Sequence, residues 1–160
     1  MSVFKSQFSK ALSVIKSDNA NIPFPQVTAS GKSTDVVADS LVDSTKNFND
    51  LNVKAGDIVY NTTDSTAATV IEVVDDTTIL LNADIFGAVD KDYSLYAAST
   101  QNTIGNRGCN IYVGGTGTLD VVAADENAVT FSGVPAGTVL PVQVLKVKAA
   151  STATGIIALW

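Results

Sequence analysis

The sequence predicts a mainly β protein, with two small antiparallel β-sandwich or barrel domains and a short N-terminal amphipathic helix. Apolar residues make up 46% of the 160 residues and charged residues 16%, which is enough to build a packed core. The chain is rich in Val and Thr, which favour strands, and in Gly and Asn, which favour tight turns. Short apolar runs separated by turn residues follow one another from residue 27 to the end.

The N-terminal segment has the residue spacing of a helix. Phe4, Phe8, Leu12 and Ile15 are separated by four, four and three residues, which places them on one helical face. A helix this short is marginal alone in water. We therefore expect this face to bind a partner surface, either in its own domain or on a neighbouring chain. The SDN stretch should end the helix, and IPFP should form an extended linker.

Three strands are expected in the middle of the chain, at residues 57–61, 67–74 and 78–82. The turn-like stretches TTDST and VDD separate them. Neither face of the second strand is cleanly polar, which is typical of a strand covered on both sides in a small barrel. The preceding VKAGDIVYN stretch resembles the opening strand of SH3-like barrels.

Five more strands are expected at residues 109–113, 118–123, 129–131, 140–148 and 155–160. Within the fourth, the apolar alternation changes parity between Val144 and Leu145, which predicts a β-bulge or a change of partner strand. The last strand ends in Trp160. This residue either closes the sheet of its own domain or forms a subunit contact, where Trp is enriched.

Charge divides the chain into three parts. Residues 1–16 contain three Lys and no acid, and residues 27–98 contain four Lys against twelve Asp and Glu. The remainder is balanced. We therefore expect a helical arm and linker at 1–26, an acidic barrel-like β-domain at 27–98 and a further β-domain at 99–160.

The charge and hydropathy pattern also bear on the partners. A net charge of −6 argues against a nucleic-acid surface, which needs clustered Lys and Arg. No apolar run is long enough to span a bilayer, and the first residues lack the pattern of a signal peptide. We expect no nucleic-acid or membrane partner, and synthesis in a cytosol.

The stretch ASGKST, at residues 29–34, looks like the end of a phosphate-binding loop. The full pattern, G-x-x-x-x-G-K-[ST], requires a glycine at residue 26 and a helix afterwards. Position 26 is Gln26, and β-rich apolar pairs follow. We interpret residues 31–33 as an ordinary polar turn and expect no nucleotide there.

The sequence offers no catalytic constellation. It has no His and a single Cys109, so the usual base for a nucleophile is missing and no internal disulfide can form. The acidic pairs Asp75–Asp76 and Asp90–Asp92 fall in turns, where carboxylates usually bond the local backbone. We expect no enzyme activity, no cofactor and no metal, although Ca²⁺ at these turns stays open.

The C-terminal third resembles a family of virion proteins. Residues 109–160 are similar to the head-spike base protein of tailed-phage and gene-transfer-agent particles, whose pattern is an LYVG-G-GD strand and turn, then VTF-NVP-G-LPV and a final ATGTTAT-IVALW. The matching residues are Ile111 to Gly115, then Val129, Thr130, Phe131, Val134, Gly137, Leu140, Pro141 and Val142, and finally Thr152, Ala153, Thr154 and Ile157 to Trp160. The stretch at residues 12–25 resembles the start of small virion proteins of cyanophage-like viruses.

The resemblance implies a non-enzymatic phage virion protein, assembled in the host cytoplasm. It implies a head-spike base at capsid vertices, a closed homo-oligomer that binds the major capsid protein and carries a spike or fibre. A five-fold vertex would make it a pentamer. The expected capsid or subunit contacts are Phe4, Phe8, Leu12, Ile15 and Trp160. This chain departs from the family in carrying an acidic β-region of about seventy residues before the LYVG-like strand, and AASTATG in place of ATGTTAT.

Two alternatives stay open. The first is another structural position, as a capsid decoration (cement) protein or a tail or baseplate component, and then a trimer is expected. The second is a receptor- or glycan-binding module. Exposed aromatic platforms would be needed for glycans, and Tyr60, Tyr93 and Tyr96 are the candidates.

Overall fold

The computed structural model describes residues 8–98 and 108–160, and this part of the chain is mainly β. It forms two antiparallel sheets of six strands each. No α-helix lies within the described ranges. The mainly β prediction is confirmed, whereas the predicted N-terminal helix is not found in the residues that can be described.

The first sheet, here called the acidic sheet, is built from residues 27–96 in the order β2-β7-β4-β5-β6-β3. Its strands are β2 (Val27–Lys32), β3 (Ser40–Val42), β4 (Ile58–Asn61), β5 (Thr66–Asp75), β6 (Thr78–Leu81) and β7 (Asp92–Tyr96). The strands expected at 57–61, 67–74 and 78–82 correspond to β4, β5 and β6. An isolated bridge between Asp35 and Val42 joins the chain just beyond β2 to the end of β3.

Strand β4 has no exposed face, as a strand covered on both sides requires. Val59 points into the core of the acidic sheet, together with Leu41, Phe48, Ile79, Phe86 and Leu95. Ile58 and Tyr60 point to the opposite side and form a second cluster with Ala20 and Tyr96. Because successive side chains of a strand alternate between faces, β4 contributes to two separate apolar cores.

The second sheet, here called the C-terminal sheet, has the order β1-β12-β8-β11-β9-β10. Its strands are β1 (Ala11–Ser13), β8 (Cys109–Gly115), β9 (Gly117–Ala123), β10 (Ala128–Val134), β11 (Thr138–Val147) and β12 (Thr154–Leu159). Its core contains Ile111, Val113, Leu119, Val121, Val144 and Ala158. All five strands expected after residue 108 are present.

Strand β11 changes partner where the apolar alternation changes parity. On one edge, Thr138 to Leu140 and then Val144 pair with β8, and on the other edge Val144 to Val147 pair with β9. The register shifts on both sides of Val144. Pro141 lies in the intervening stretch and has no N–H to give to a ladder. The bulge and the partner change are therefore both confirmed.

The N-terminal segment forms a strand where the spacing predicted a helix. Residues 11–13 pair with β12, with Leu12 opposite Ala158, and the Val14 N–H donates to the Ile156 C=O at 3.0 Å. A short isolated helix gains little from its own hydrogen bonds. The edge of β12 offers unpaired backbone groups and an apolar surface for Leu12, so sheet pairing is the more stable outcome.

The chain between β1 and β2 connects the two sheets by hydrogen bonds. The Ser17 hydroxyl donates to the Ala67 C=O of the acidic sheet at 3.0 Å. Its N–H donates to the Val147 C=O of the C-terminal sheet at 2.9 Å. The Asn19 C=O accepts from Thr69 and Asn82 at 2.8 Å each. This segment is therefore the bonded link between the sheets.

Candidate interaction surface

The predicted contact residues of the N-terminal segment differ in exposure where they are described. Phe4 lies outside the described residues, and Phe8 is 39% exposed. Leu12 packs against the C-terminal core and also against the cluster between the sheets, where Ile15 lies as well. Among the described residues Phe8, Leu12 and Ile15, only Phe8 is an exposed large apolar side chain.

Trp160 packs within its own chain. Its ring meets that of Phe24 edge to face, with centroids 5.6 Å apart, and the Lys10 ammonium lies 4.5 Å from the Phe24 centroid. The Trp160 backbone also bonds Ser9 and Lys10. Trp160 thus joins the C-terminus to β1 and to the linker, and it remains only partly buried.

A groove of about 490 Å³ runs between the two sheets. One wall is the backbone of residues 12–16, and the other is formed by Tyr60 and Tyr96, whose rings pack edge to face at 5.4 Å. Thr62 and Ser65, in the β4–β5 turn, lie at its polar rim. The lining is mostly apolar, which is typical of surfaces that bind another molecule.

The hydroxyl of Tyr60 lies at this groove and completes no hydrogen bond within the described residues. Tyr60 is only 2% exposed. Burial raises its pKa, and the nearby Ile15 backbone offsets only part of that shift. A buried hydroxyl without a partner costs free energy, so an additional acceptor or donor at this position would be stabilising.

The wall formed by β1 is an open strand edge. Lys10 and Trp160 exchange both backbone hydrogen bonds, and the Val14 N–H again bonds β12. In an antiparallel ladder, bonded pairs alternate with non-bonded pairs. The N–H and C=O groups of Ala11 and Ser13 therefore point away from β12, towards the side of β1 that no described strand covers.

Most of the ASGKST stretch is a β-strand. Residues 29–32 belong to β2, with Gly31 opposite Tyr93, so the expected polar turn at 31–33 is wrong. A Cβ at Gly31 would lie 2.6 Å from Asp43 Oδ2, which explains the glycine by packing. Asp43 is fully buried and accepts from the Tyr93 hydroxyl at 2.7 Å and from the Thr45 hydroxyl at 2.6 Å.

The acidic turns bond their own surroundings. The Asp75 carboxylate accepts from the Thr77 N–H at 2.8 Å, and Asp92 pairs with Lys32 at 3.1 Å. Within residues 8–98 and 108–160, no group of three or more His, Cys, Asp and Glu side chains could hold a metal ion.

The tyrosines considered as glycan platforms are buried. Tyr60 and Tyr93 are each 2% exposed and Tyr96 is 5% exposed, so that expectation is wrong. Their rings instead form parts of the two cores.

In the part of the chain that the structure describes, no helix has the length and apolar character needed to cross a membrane.

Sequence reasoning missed the groove because its two walls are 44 or more residues apart in the chain. Only the alternation of Leu12 and Val14 could have indicated a strand at β1.

In comparisons with known proteins, no family model, no curated protein and no solved structure matches this chain.

Proposed function

We propose that this protein is a non-enzymatic structural component of a tailed-phage virion, a head-spike base that attaches to the capsid vertex and carries a spike or fibre. The observation that carries the proposal is the head-spike-base resemblance of residues 109–160. These residues supply five of the six strands of one sheet. Matching apolar residues such as Ile111, Val113 and Ala158 are fully buried in its core, so they form one folded unit.

The proposed particle arrangement has two β-domains with different tasks. The C-terminal sheet forms a closed homo-oligomer, a pentamer at a five-fold vertex, and the basic N-terminal arm binds the major capsid protein or a neighbouring subunit. The acidic sheet faces outward towards the spike or fibre, where a like-charged surface resists non-specific association. We infer a small barrel-like domain at 27–98, supported by the Asp35–Val42 bridge between the segment after β2 and β3, and a sandwich-like domain at 99–160.

Open sheet edges support a role in assembly. Strand β10 ends the C-terminal sheet and has only β9 beside it, and its Val129 is 41% exposed. Edge strands present backbone groups that pair readily with another chain. A base that joins capsid, neighbouring subunits and a spike requires several such surfaces.

A second structural position has the same support from the fold. A capsid decoration protein, or a tail or baseplate component, would also use open edges, and a trimer is then expected. Copy number per particle distinguishes these roles, because a decoration protein is abundant and a vertex base is scarce. The glycan-binding alternative loses its candidate platforms, since all three tyrosines are buried.

The proposal is tested on particles with a variant of the N-terminal arm. Phe4→Asp combined with Phe8→Asp should abolish copurification of the protein with phage heads while the β-sheets stay folded by circular dichroism. The matched control is Val36→Asp with Val37→Asp, two exposed residues of the acidic sheet region, which should copurify normally. Full incorporation of the Phe4/Phe8 variant would overturn the arm as the anchor.

A further inference from the structure

Strand β10 is a long and unprotected edge of the C-terminal sheet. Edge strands are usually short, or carry a charge or a Pro that prevents pairing with another chain. Strands β1 and β3 have three residues each, and β2 contains Lys32. Strand β10 has seven residues, AVTFSGV, with no charge and no Pro, and five of them are exposed. Its bulge lies beyond Phe131, so the first four residues form a regular edge.

The backbone groups of Ala128 and Thr130 point to the open side of β10. Ala123 donates its N–H to the Asn127 C=O at 2.9 Å, and bonded pairs alternate with non-bonded pairs along an antiparallel ladder. The even-numbered residues of β10 are therefore not bonded to β9. The Asp120 C=O agrees with this, because it accepts a hydrogen bond from the residue after β11 and so points away from Thr130, its partner in the register.

The apolar core of the C-terminal sheet continues to the same edge. Val129 lies opposite Val121, and Phe131 lies opposite Leu119, so all four side chains are on one face of the sheet. Val121 and Leu119 are fully buried, whereas Val129 is 41% exposed and Phe131 is partly buried. A further strand beside β10 would extend the core over these two side chains.

We infer that β10 pairs with β10 of a second copy, antiparallel and about a two-fold axis at Thr130. The outward N–H and C=O groups of the two Thr130 residues then exchange both backbone hydrogen bonds of a bonded pair. In the same register, Val129 of each copy lies opposite Phe131 of the partner subunit. Aromatic and β-branched residues in this position stabilise a sheet. The outward groups and the apolar side chains therefore agree on one register, and an identical strand satisfies both.

The charges near β10 allow a second copy, although the chain has a net charge of −6. Glu126 is four positions from the two-fold axis, so the two Glu126 residues are eight positions apart, about 27 Å at roughly 3.4 Å per residue. Asp120 lies one strand behind Thr130, so the two Asp120 residues are three strand spacings apart, about 14 Å. Both distances exceed the Debye length of about 8 Å at physiological salt. The uncharged edge also gives a basic or acidic segment no advantage over a copy.

This contact is separate from the ring of the proposed function. A two-fold axis joins subunits in pairs, whereas a pentamer at a vertex uses a five-fold axis. The inference goes beyond the proposed function and does not depend on it. It predicts that the purified protein has twice the mass of the assembly that its other contacts form.

The first test is disulfide formation in Thr130→Cys. The Cα atoms of the two residues at the axis would be about 5.5 Å apart, within the range of about 4.4–6.8 Å that a disulfide spans. The matched control is Ala128→Cys, also exposed, whose two copies would be four positions apart, about 14 Å. After mild oxidation we expect a dimer of the Thr130 variant and a monomer of the Ala128 variant on a non-reducing gel. The native Cys109 is 2% exposed and is present in both.

The second test removes the outward backbone donor. Thr130→Pro deletes an N–H that β9 does not use, and Pro is tolerated at a strand edge of this kind. The matched control is Thr130→Ala, because both variants lose the hydroxyl that donates to Asp120. Sedimentation equilibrium should give the wild-type mass for the Ala variant and half of it for the Pro variant. Circular dichroism should show the same β content in both.

Three results would overturn the inference. The first is no cross-link in Thr130→Cys, and the second is equal cross-linking of the Thr130 and Ala128 variants, which would mean random collision. The third is an unchanged mass for a folded Thr130→Pro variant. All are measured on purified protein without phage heads, so they are distinguishable from a failure of the head-attachment proposal.

Discussion

The Tyr93 hydroxyl donates a hydrogen bond of 2.7 Å to the carboxylate of Asp43, inside the acidic sheet. Asp43 has no exposed surface and Tyr93 is 2% exposed. Burial acts to raise the pKa of Asp43, but hydrogen bonds from Thr45 and Tyr93 outweigh it and hold that pKa below its ordinary value. The Tyr93 hydrogen bond therefore holds an ionised Asp43 carboxylate close to the backbone of Gly31.

Removing the Tyr93 hydroxyl should destabilise the protein. Tyr93→Phe deletes one donor to a buried carboxylate, and hydrogen bonds to charged groups contribute about 1.5–3 kcal/mol. We expect a loss of that size in the free energy of unfolding, measured by urea titration. Tyr112→Phe is the control, because Tyr112 is only partly buried and should change the free energy by about 0.5 kcal/mol or less. Equal effects of both substitutions would contradict the role of the Asp43 bond.

The Asp43 carboxylate should make stability depend on acid pH. The pKa of Asp43 in the folded chain lies below the ordinary value of 3.8. As the pH falls, the unfolded chain therefore binds a proton at Asp43 before the folded chain does. The stabilisation by Asp43 is therefore complete above pH 3.8 and is lost as the pH falls through the folded pKa. We expect Asp43→Asn to cost less free energy of unfolding at pH 3 than at pH 6.

The pH comparison must be read as a difference between wild type and variant. Other carboxyl groups, including those of Asp64, Asp75 and Asp125, also have lowered pKa values and are exposed. Subtracting the Asp43→Asn curve removes their shared contribution. If the difference in the free energy of unfolding between wild type and Asp43→Asn stayed constant from pH 6 to pH 3, the pKa of Asp43 would be the same in the folded and unfolded chains.

A methyl group at residue 31 should disturb the same site. In Gly31→Ala the added Cβ would meet Asp43 Oδ2 at 2.6 Å and Tyr93 Oη at 3.1 Å. Overpacking of this kind costs about 1–3 kcal/mol, and thermal unfolding should show the loss. Gly87→Ala is the matched control, since a Cβ there meets nothing within 4 Å. If the Gly87 variant lost as much stability, steric contact with Asp43 would not be the cause.

The C-terminal tryptophan should be coupled energetically to the linker. A double-mutant cycle of Trp160→Ala and Phe24→Ala should give a coupling of about 0.5–1.5 kcal/mol, the range for aromatic pairs. The comparison cycle combines Trp160→Ala with Phe86→Leu, in the core of the acidic sheet, and should be additive within about 0.5 kcal/mol. Zero coupling with Phe24 would contradict an energetic contribution from the contact between the two rings.

Local pattern was a good guide where a strand pairs with its neighbour in sequence. Strands β4, β5 and β6 follow one another through short turns, and their apolar alternation and turn residues predicted all three. The partner change of β11 was also visible, because the bulge shifts side chains by one position and leaves that shift in the sequence at Val144 and Leu145.

The pattern failed where the pairing is distant. Phe4, Phe8, Leu12 and Ile15 satisfy a helical spacing, but residues 11–13 pair with β12 almost 150 residues later. The Asp43 and Tyr93 contact, and the groove between β1 and Tyr60, likewise join residues separated by tens of positions. Local propensity is weak compared with the free energy of completing a sheet edge and burying apolar surface.

The sequence by itself determined the mainly β character, the acidic middle part and the short turns between β4, β5 and β6, because these depend on composition and on nearest neighbours. Only the tertiary structure decided that the N-terminal segment is an edge strand, that Gly31 is required by Asp43, and that Tyr60 and Tyr96 line a groove. Those features arise when distant backbone and side-chain groups must find hydrogen-bond partners and cover, and a pattern read along one segment does not contain that information.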